Sequence, residues 1–140
     1  DARSNDNARY IDEMLERFSL NEFAHRQVSE LPGGVRKLLD IAMALVRKPD
    51  ILLLDEPTSG VGAEEKYPLM NTIAKALSGE DLTVIFVEHD MDIVFDHATR
   101  IIVLDHGRII ADGKPEEIAD NALVQNIYLG TETVYEEGGA

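Results

Sequence analysis

The chain contains no cysteine among its 140 residues, so neither a disulfide framework nor a thiolate metal site is available to it. That fits a reducing compartment. Positive charge is scarce: 13 Lys and Arg stand against 27 Asp and Glu, a formal net charge of -14. Such a balance disfavours nucleic acid, whose phosphates would be repelled, and adsorption to an anionic membrane surface. Its bland consequence is a solvated acidic surface. Apolar runs are all far too short to span a bilayer. The opening Asp1-Ala2-Arg3-Ser4-Asn5-Asp6-Asn7 has no apolar core of a signal peptide and no starting Met, so an excised or truncated piece is expected. Absent too is any Gly-rich phosphate loop ending in Lys-Ser or Lys-Thr. Gly107 and Gly113-Lys114 flank five residues rather than four, and Pro115 stands where a hydroxyl is needed.

What remains is ordinary globular composition, 44% hydrophobic, in a length suited to one sizeable core. Tyr10, Ile11, Met14, Leu15 and Phe18 share one helical face over about 7–18, and a short helical turn is expected over 21–26. Pro32-Gly33-Gly34 breaks the chain. Leu38, Leu39, Ala42, Leu45 and Val46 then form the stripe of an amphipathic helix. Arg47 and Lys48 fall in its last turn, and Pro49 stops it.

Ile51–Leu54 is a continuous apolar run, as in a parallel strand covered on both faces. A helix over 63–78 turns Leu69, Met70, Ile73, Ala74 and Leu77 inward, with Pro68 tolerable only if the first turn begins late. Thr83–Val87 is the next strand, completing a βαβ unit. A short helix follows over 91–97. Asp105-His106-Gly107 joins two strands, 101–104 and 108–111, as a hairpin. Helices begin at Pro115 and near Leu123, and a polar tail ends the chain.

Three pieces carry chemistry. Asp55-Glu56-Pro57 closes the first apolar strand: one acid at a strand end can hold Mg²⁺ through water, and its neighbour can orient or deprotonate an attacking water. The alternative is a strand ending in a polar turn. In Leu31-Pro32-Gly33-Gly34-Val35, two glycines at a helix start let backbone N–H groups approach an anion; the alternative is an ordinary capping turn. His89, just past the second strand, can donate to a phosphate and sense its loss, where a lone surface imidazole is the common case. His25, His97 and His106 match no catalytic position, and no spacing of His, Asp and Glu suggests a structural metal site.

Taken together in this order, Leu31-Pro32-Gly33-Gly34, Ile51–Pro57 and Val87-Glu88-His89-Asp90 resemble the signature motif, Walker B strand and switch histidine of an ABC-type ATPase. Ser59-Gly60-Val61-Gly62 resembles its D-loop. Pro32 and Val35 depart from the usual serine and glutamine, and Gly62 from the usual acid or amide. Glu88-His89-Asp90-Met91 and Asn126-Ile127-Tyr128-Leu129-Gly130 are similar to ATP-binding subunits of branched-chain amino acid and urea importers.

The resemblance implies an α/β, partial P-loop NTPase fold. It would have parallel strands with flanking helices, a helical subdomain remnant at the N-terminus, and a C-terminal hairpin plus helices. Residues 1–130 would be the C-terminal portion of a nucleotide-binding domain, divided into 1–47 (helical subdomain and signature helix) and 48–130, with a flexible tail over 131–140.

The implied cofactors are ATP and Mg²⁺. Glu56 and His89 would be catalytic, and Asp55 would hold the metal through water. Gly33 and Gly34 would contact ATP on a partner subunit, with Ser59 and Gly60 in the D-loop. Partners would be a second nucleotide-binding subunit in a head-to-tail dimer and transmembrane permease subunits, on the cytoplasmic face of the membrane. No nucleic acid and no direct membrane insertion are expected. The implied function is ATP hydrolysis energising solute import, with this chain alone inactive for want of the phosphate-loop lysine. The alternative is a non-catalytic interaction module or truncated relic presenting its signature face to a partner ATPase. A DNA-repair ATPase is disfavoured by the charge and the lack of long heptads.

Overall fold

A computed structural model describes residues 2–129. The chain divides into two compact units, 1–89 and 90–140. The tail expected to be flexible lies outside the described residues.

In the first unit, α1 (Ala2–Arg17) starts earlier than the apolar spacing predicts and buries Met14 with Phe18 just beyond it. It closes in a left-handed turn at Ser19 (φ 56°), with Leu20 N–H donating back to the Leu15 carbonyl and the Leu20 side chain buried. Two 3₁₀ turns, Asn21–Phe23 and Val28–Glu30, lead to α2 (Gly33–Leu45). Its buried stripe is Leu38, Ile41, Ala42 and Leu45. Val46, expected inside, is exposed, because the helix has ended. Arg47 and Lys48 lie beyond the last turn rather than in it: Lys48 takes φ 48° and its N–H closes on the Leu45 carbonyl.

β1 (Ile51–Asp55) and β2 (Thr83–Val87) pair in parallel, Leu53 opposite Ile85 and Asp55 opposite Val87. The crossover is α3 (Ala63–Leu77), which buries Leu69, Met70, Ile73 and Ala76. Ala74 is exposed and Ala76 takes its place inside. The helix begins at Ala63, not late, so Pro68 sits within it and one backbone bond is forgone. Arg17 ties α1 to the end of α3, donating to the Ala76 carbonyl and, at 2.6 Å, to Glu80. Only one face of the two-stranded sheet is covered. Leu52 is buried, but Ile51, Leu53, Ile85 and Val87 on the other face are exposed, Leu53 at 71%. The two-sided burial expected of this apolar run is absent among the described residues.

In the second unit, α4 (Met91–His97) precedes the antiparallel pair β3 (Ile101–Asp105) and β4 (Arg108–Gly113). His106 (φ 46°) and Gly107 (φ 75°) make the two-residue turn with both positions left-handed, which suits the twist of a hairpin. The strands extend one and two residues past the expected ends. Ile101, Val103, Ile118 and Val124 form the core of this unit, with Val94, Phe95 and Ile110 packed against it. α5 (Pro115–Ala119) opens with Glu117 accepting from the Lys114 N–H at 2.9 Å. α6 (Ala122–Val124) is capped by Asn121, and a π-helical turn, Gln125–Leu129, replaces the regular helix expected there.

Candidate functional site

β1 and β2 run in the same direction, so their C-terminal ends lie side by side. That places the acids after β1 next to the segment after β2. In open α/β sheets this carboxyl edge is where ligands bind. Asp55 is the last residue of β1 and is exposed. Glu56 follows in a left-handed conformation, φ 44°, with its N–H donating to the Val87 carbonyl at 2.8 Å. Its carboxylate Oε1 comes within 3.5 Å of His89 Nδ1, both side chains well exposed at 47% and 71%. An exposed pair at this distance is weakly held, so both groups remain free to engage a ligand.

The loop after Glu56 folds back tightly. Ser59 N–H donates to the Glu56 carbonyl at 3.0 Å, and Gly60 turns left-handed at φ 73°. This loop lies beside the start of α2, since a Cβ on Gly33 would stand 4.0 Å from the Gly60 carbonyl oxygen. Pro32 is the N-cap of α2 and has no side-chain oxygen to satisfy the first helical N–H groups. Those of Gly33 and Gly34 therefore carry the positive end of the helix dipole without a capping partner from Pro32. One turn on, Lys37 Nζ donates to the Glu56 carbonyl at 3.3 Å.

The structure thus gathers Gly33, Asp55, Glu56, Gly60 and His89 at one edge of the first unit. Gly34 has open space around it, and Ser59 is exposed. The arrangement is an open ledge. A polar hollow of about 430 Å³ lies elsewhere, lined by Glu16, Arg17, Ser19, Asn71, Thr72 and Lys75.

Two residues to which sequence reasoning gave no role join the loops after β1 and β2. Thr58 is 1% exposed, and its N–H and hydroxyl both donate to Glu88 Oε1, at 2.8 and 2.7 Å. Neither stood out: a Thr after Asp-Glu-Pro and a Glu before His have no spacing that forecasts their meeting. Lys37 was equally silent, since one turn into an amphipathic helix a lysine is usually a solvated face.

Comparison with known proteins bears directly on this edge. Residues 1–59 match the ABC transporter family, and residues 108–134 match the branched-chain amino acid ATP-binding cassette transporter family. The chain belongs to the ATP-binding family of ABC transporters. It is 40% identical over 121 residues to the high-affinity branched-chain amino acid transport ATP-binding protein BraF of Pseudomonas aeruginosa, covering 86% of this chain and 48% of that protein. It is 41% identical over 116 residues to LivG, the corresponding protein of Salmonella typhimurium, covering 83% and 46%. Among solved structures it superposes on MJ1267, an ATP-binding cassette of an ABC transporter, in its ADP conformation. The TM-score is 0.72 and identity 30%, over 84% of this chain and 48% of that one. The chain therefore spans about half the length of the relatives it matches. The partial α/β fold expected from the motifs, a parallel sheet with helices, is the one observed. No described helix is long and apolar enough to cross a membrane.

Proposed function

We propose that this ABC family chain supplies the Walker B acids, D-loop, signature helix and switch histidine of an ATP-hydrolysing subunit that energises import of branched-chain amino acids or a related small solute. The observation that carries the reading is the 3.5 Å approach of Glu56 and His89 at the shared end of two parallel strands. The solute class rests on the match over 108–134 and on the likeness to BraF and LivG.

The residues present fit Mg²⁺. Asp55 is an exposed carboxylate beside a second one, and among the described residues no cluster of three His, Asp or Glu competes to enclose an ion. A cation that keeps most of its water shell and takes the rest from phosphate needs no more than this. Bound there, Mg²⁺ would supply neutralisation of charge on the phosphate oxygens.

The chain's own groups divide the work. Glu56 Oε1 or Oε2 orients the attacking water and accepts its proton. The His89 imidazole donates to the terminal phosphate from the neighbouring strand end. The Gly33 and Gly34 N–H groups face a nucleotide held by a second nucleotide-binding subunit in a head-to-tail dimer, with Ser59 and Gly60 at the same interface. Permease subunits would hold the pair at the cytoplasmic face of the membrane.

A second reading, a non-catalytic module offering its signature face to a partner ATPase, is favoured by Pro32 and Gly62, which bring no polar side chain where the family has one. One experiment separates the two. The chain is combined with a segment bearing the phosphate loop, and phosphate release from Mg-ATP is measured. Release that falls by about 100-fold or more in Glu56→Gln supports the catalytic reading. Release unaffected by that substitution, or none with any such segment, refutes it.

A further inference from the structure

We infer that Glu88 is a positioning residue for Glu56 and His89, an assignment that rests on the catalytic reading of those two side chains. Three consecutive residues, the last of β2 and the two that follow it, each grip the segment after β1. The Val87 carbonyl accepts from the Glu56 N–H at 2.8 Å. Glu88 Oε1 accepts from both the N–H and the hydroxyl of Thr58. His89 Nδ1 lies 3.5 Å from the Glu56 carboxylate. The central grip is the sheltered one, because Thr58 is buried whereas Glu56 and His89 are exposed.

The geometry makes that grip reach Glu56. Between the Glu56 N–H, fixed by Val87, and the Thr58 N–H, fixed by Glu88, stands Pro57, buried and with its φ locked by its ring. Few soft torsions are left in between. Glu56 itself is held at φ 44°, an unfavourable conformation for a residue with a Cβ and doubly so before proline. A strained turn persists only where its surroundings over-determine it. The Glu88 carboxylate is the one side chain that takes up both buried donors of Thr58, and it sits next to His89 in sequence. Holding Thr58 therefore sets where the Glu56 carboxylate and the imidazole stand relative to each other.

The second carboxylate oxygen, Oε2, is buried and has no hydrogen-bond partner among the described residues.

The test reads the linkage first without nucleotide. Amide hydrogen exchange is measured by NMR on the 140-residue chain and on Glu88→Ala, Glu88→Gln and Thr58→Val. Glu88→Ala leaves the Thr58 donors buried without an acceptor, so Thr58 exchange rises about tenfold or more relative to amides within α2. Glu88→Gln keeps one carbonyl acceptor of the same reach and restores most of that protection. Thr58→Val, which retains the N–H bond, falls between. In the combination that releases phosphate, Glu88→Ala lowers kcat with KM for ATP little changed, and Glu88→Gln recovers kcat.

Unchanged Thr58 exchange in Glu88→Ala would overturn the assignment. So would loss of protection spread evenly over residues 2–89, or a Glu88→Gln variant as impaired as the alanine one. If the parent combination hydrolyses ATP and Glu88→Ala matches its kcat, the positioning role alone falls. If the parent hydrolyses none, the catalytic reading falls with it.

Discussion

Replacing Glu56 with glycine should leave the chain as stable as before, or make it more stable, while abolishing the chemistry assigned to it. The residue stands at φ 44°, where a Cβ crowds the neighbouring carbonyl at a cost of about 1–2 kcal/mol. Glycine removes that cost and adds about 0.5–1 kcal/mol of extra backbone entropy to be lost on folding. The backbone bonds to Val87 and Lys37 use Glu56 main-chain atoms and survive the change. The one side-chain contact, to His89, is long and exposed and contributes roughly nothing once solvent screening is counted.

The expected balance is thus a stabilisation of about 0–1.5 kcal/mol, against the loss of about 1 kcal/mol typical of point substitutions. Comparison with Glu56→Ala isolates the strain, because alanine keeps the Cβ and loses the carboxylate. At ordinary φ, alanine is the more stable of the two; at this position the order reverses, by about 1 kcal/mol. Urea unfolding followed by far-ultraviolet circular dichroism gives both midpoints, provided the slopes agree. A glycine variant less stable than the alanine one would refute the claim that Glu56 is held under strain.

Ile118→Ala, which empties the centre of the second unit's core, should cost about 2–5 kcal/mol, seen as a lowered midpoint in the same assay. Asp112 is paired with Arg100 through two bonds of 2.8 and 2.7 Å, and the hydrogen bond to Arg100 holds its carboxyl below the usual 3.8, with burial opposing and the guanidinium charge assisting. A carboxylate with a lowered folded-state value stabilises above its unfolded value and loses that contribution as pH falls through the lowered one. Asp112→Asn should therefore differ from the parent above about pH 4 and converge with it in stronger acid. Isothermal titration of the 140-residue chain with Mg-ATP should show weak binding or none, since its sequence lacks a phosphate loop; a micromolar constant would refute this.

Much of the fold was legible because local rules carried it. Pro49 and Pro115 punctuate helices, Asp105-His106-Gly107 announces a hairpin, and α4 falls where its apolar spacing puts it. Boundaries slipped where backbone geometry rather than residue type decides. Lys48 enters a left-handed turn that composition favours for glycine or asparagine, so α2 ends before the Arg47 and Lys48 expected in its last turn. The acids, the glycines and His89 were singled out because their order along the chain resembles a known pattern. Thr58 and Glu88 were not, because they meet across two loops and their partnership depends on the register of β1 against β2, which no single segment encodes.

The uncovered sheet face is where local pattern and observed burial disagree most usefully. A strand with one face in solvent alternates apolar and polar residues; Ile51–Leu54 and Val84–Val87 do not. Their odd positions, Ile51, Leu53, Ile85 and Val87, are apolar and half or more exposed, whereas Leu52 and its neighbours face the helices. Leu53 and Ile85 are opposite one another in the pairing, so the exposed surface is continuous across both strands. Each such side chain would gain about 1.5–3 kcal/mol on full burial. A sheet left with four of them in water is under strong pressure to acquire a second layer. The edge proposed to be catalytic sits at the end of these same strands. Burial of that face and the geometry of the proposed site at its end therefore depend on the same pairing of β1 with β2.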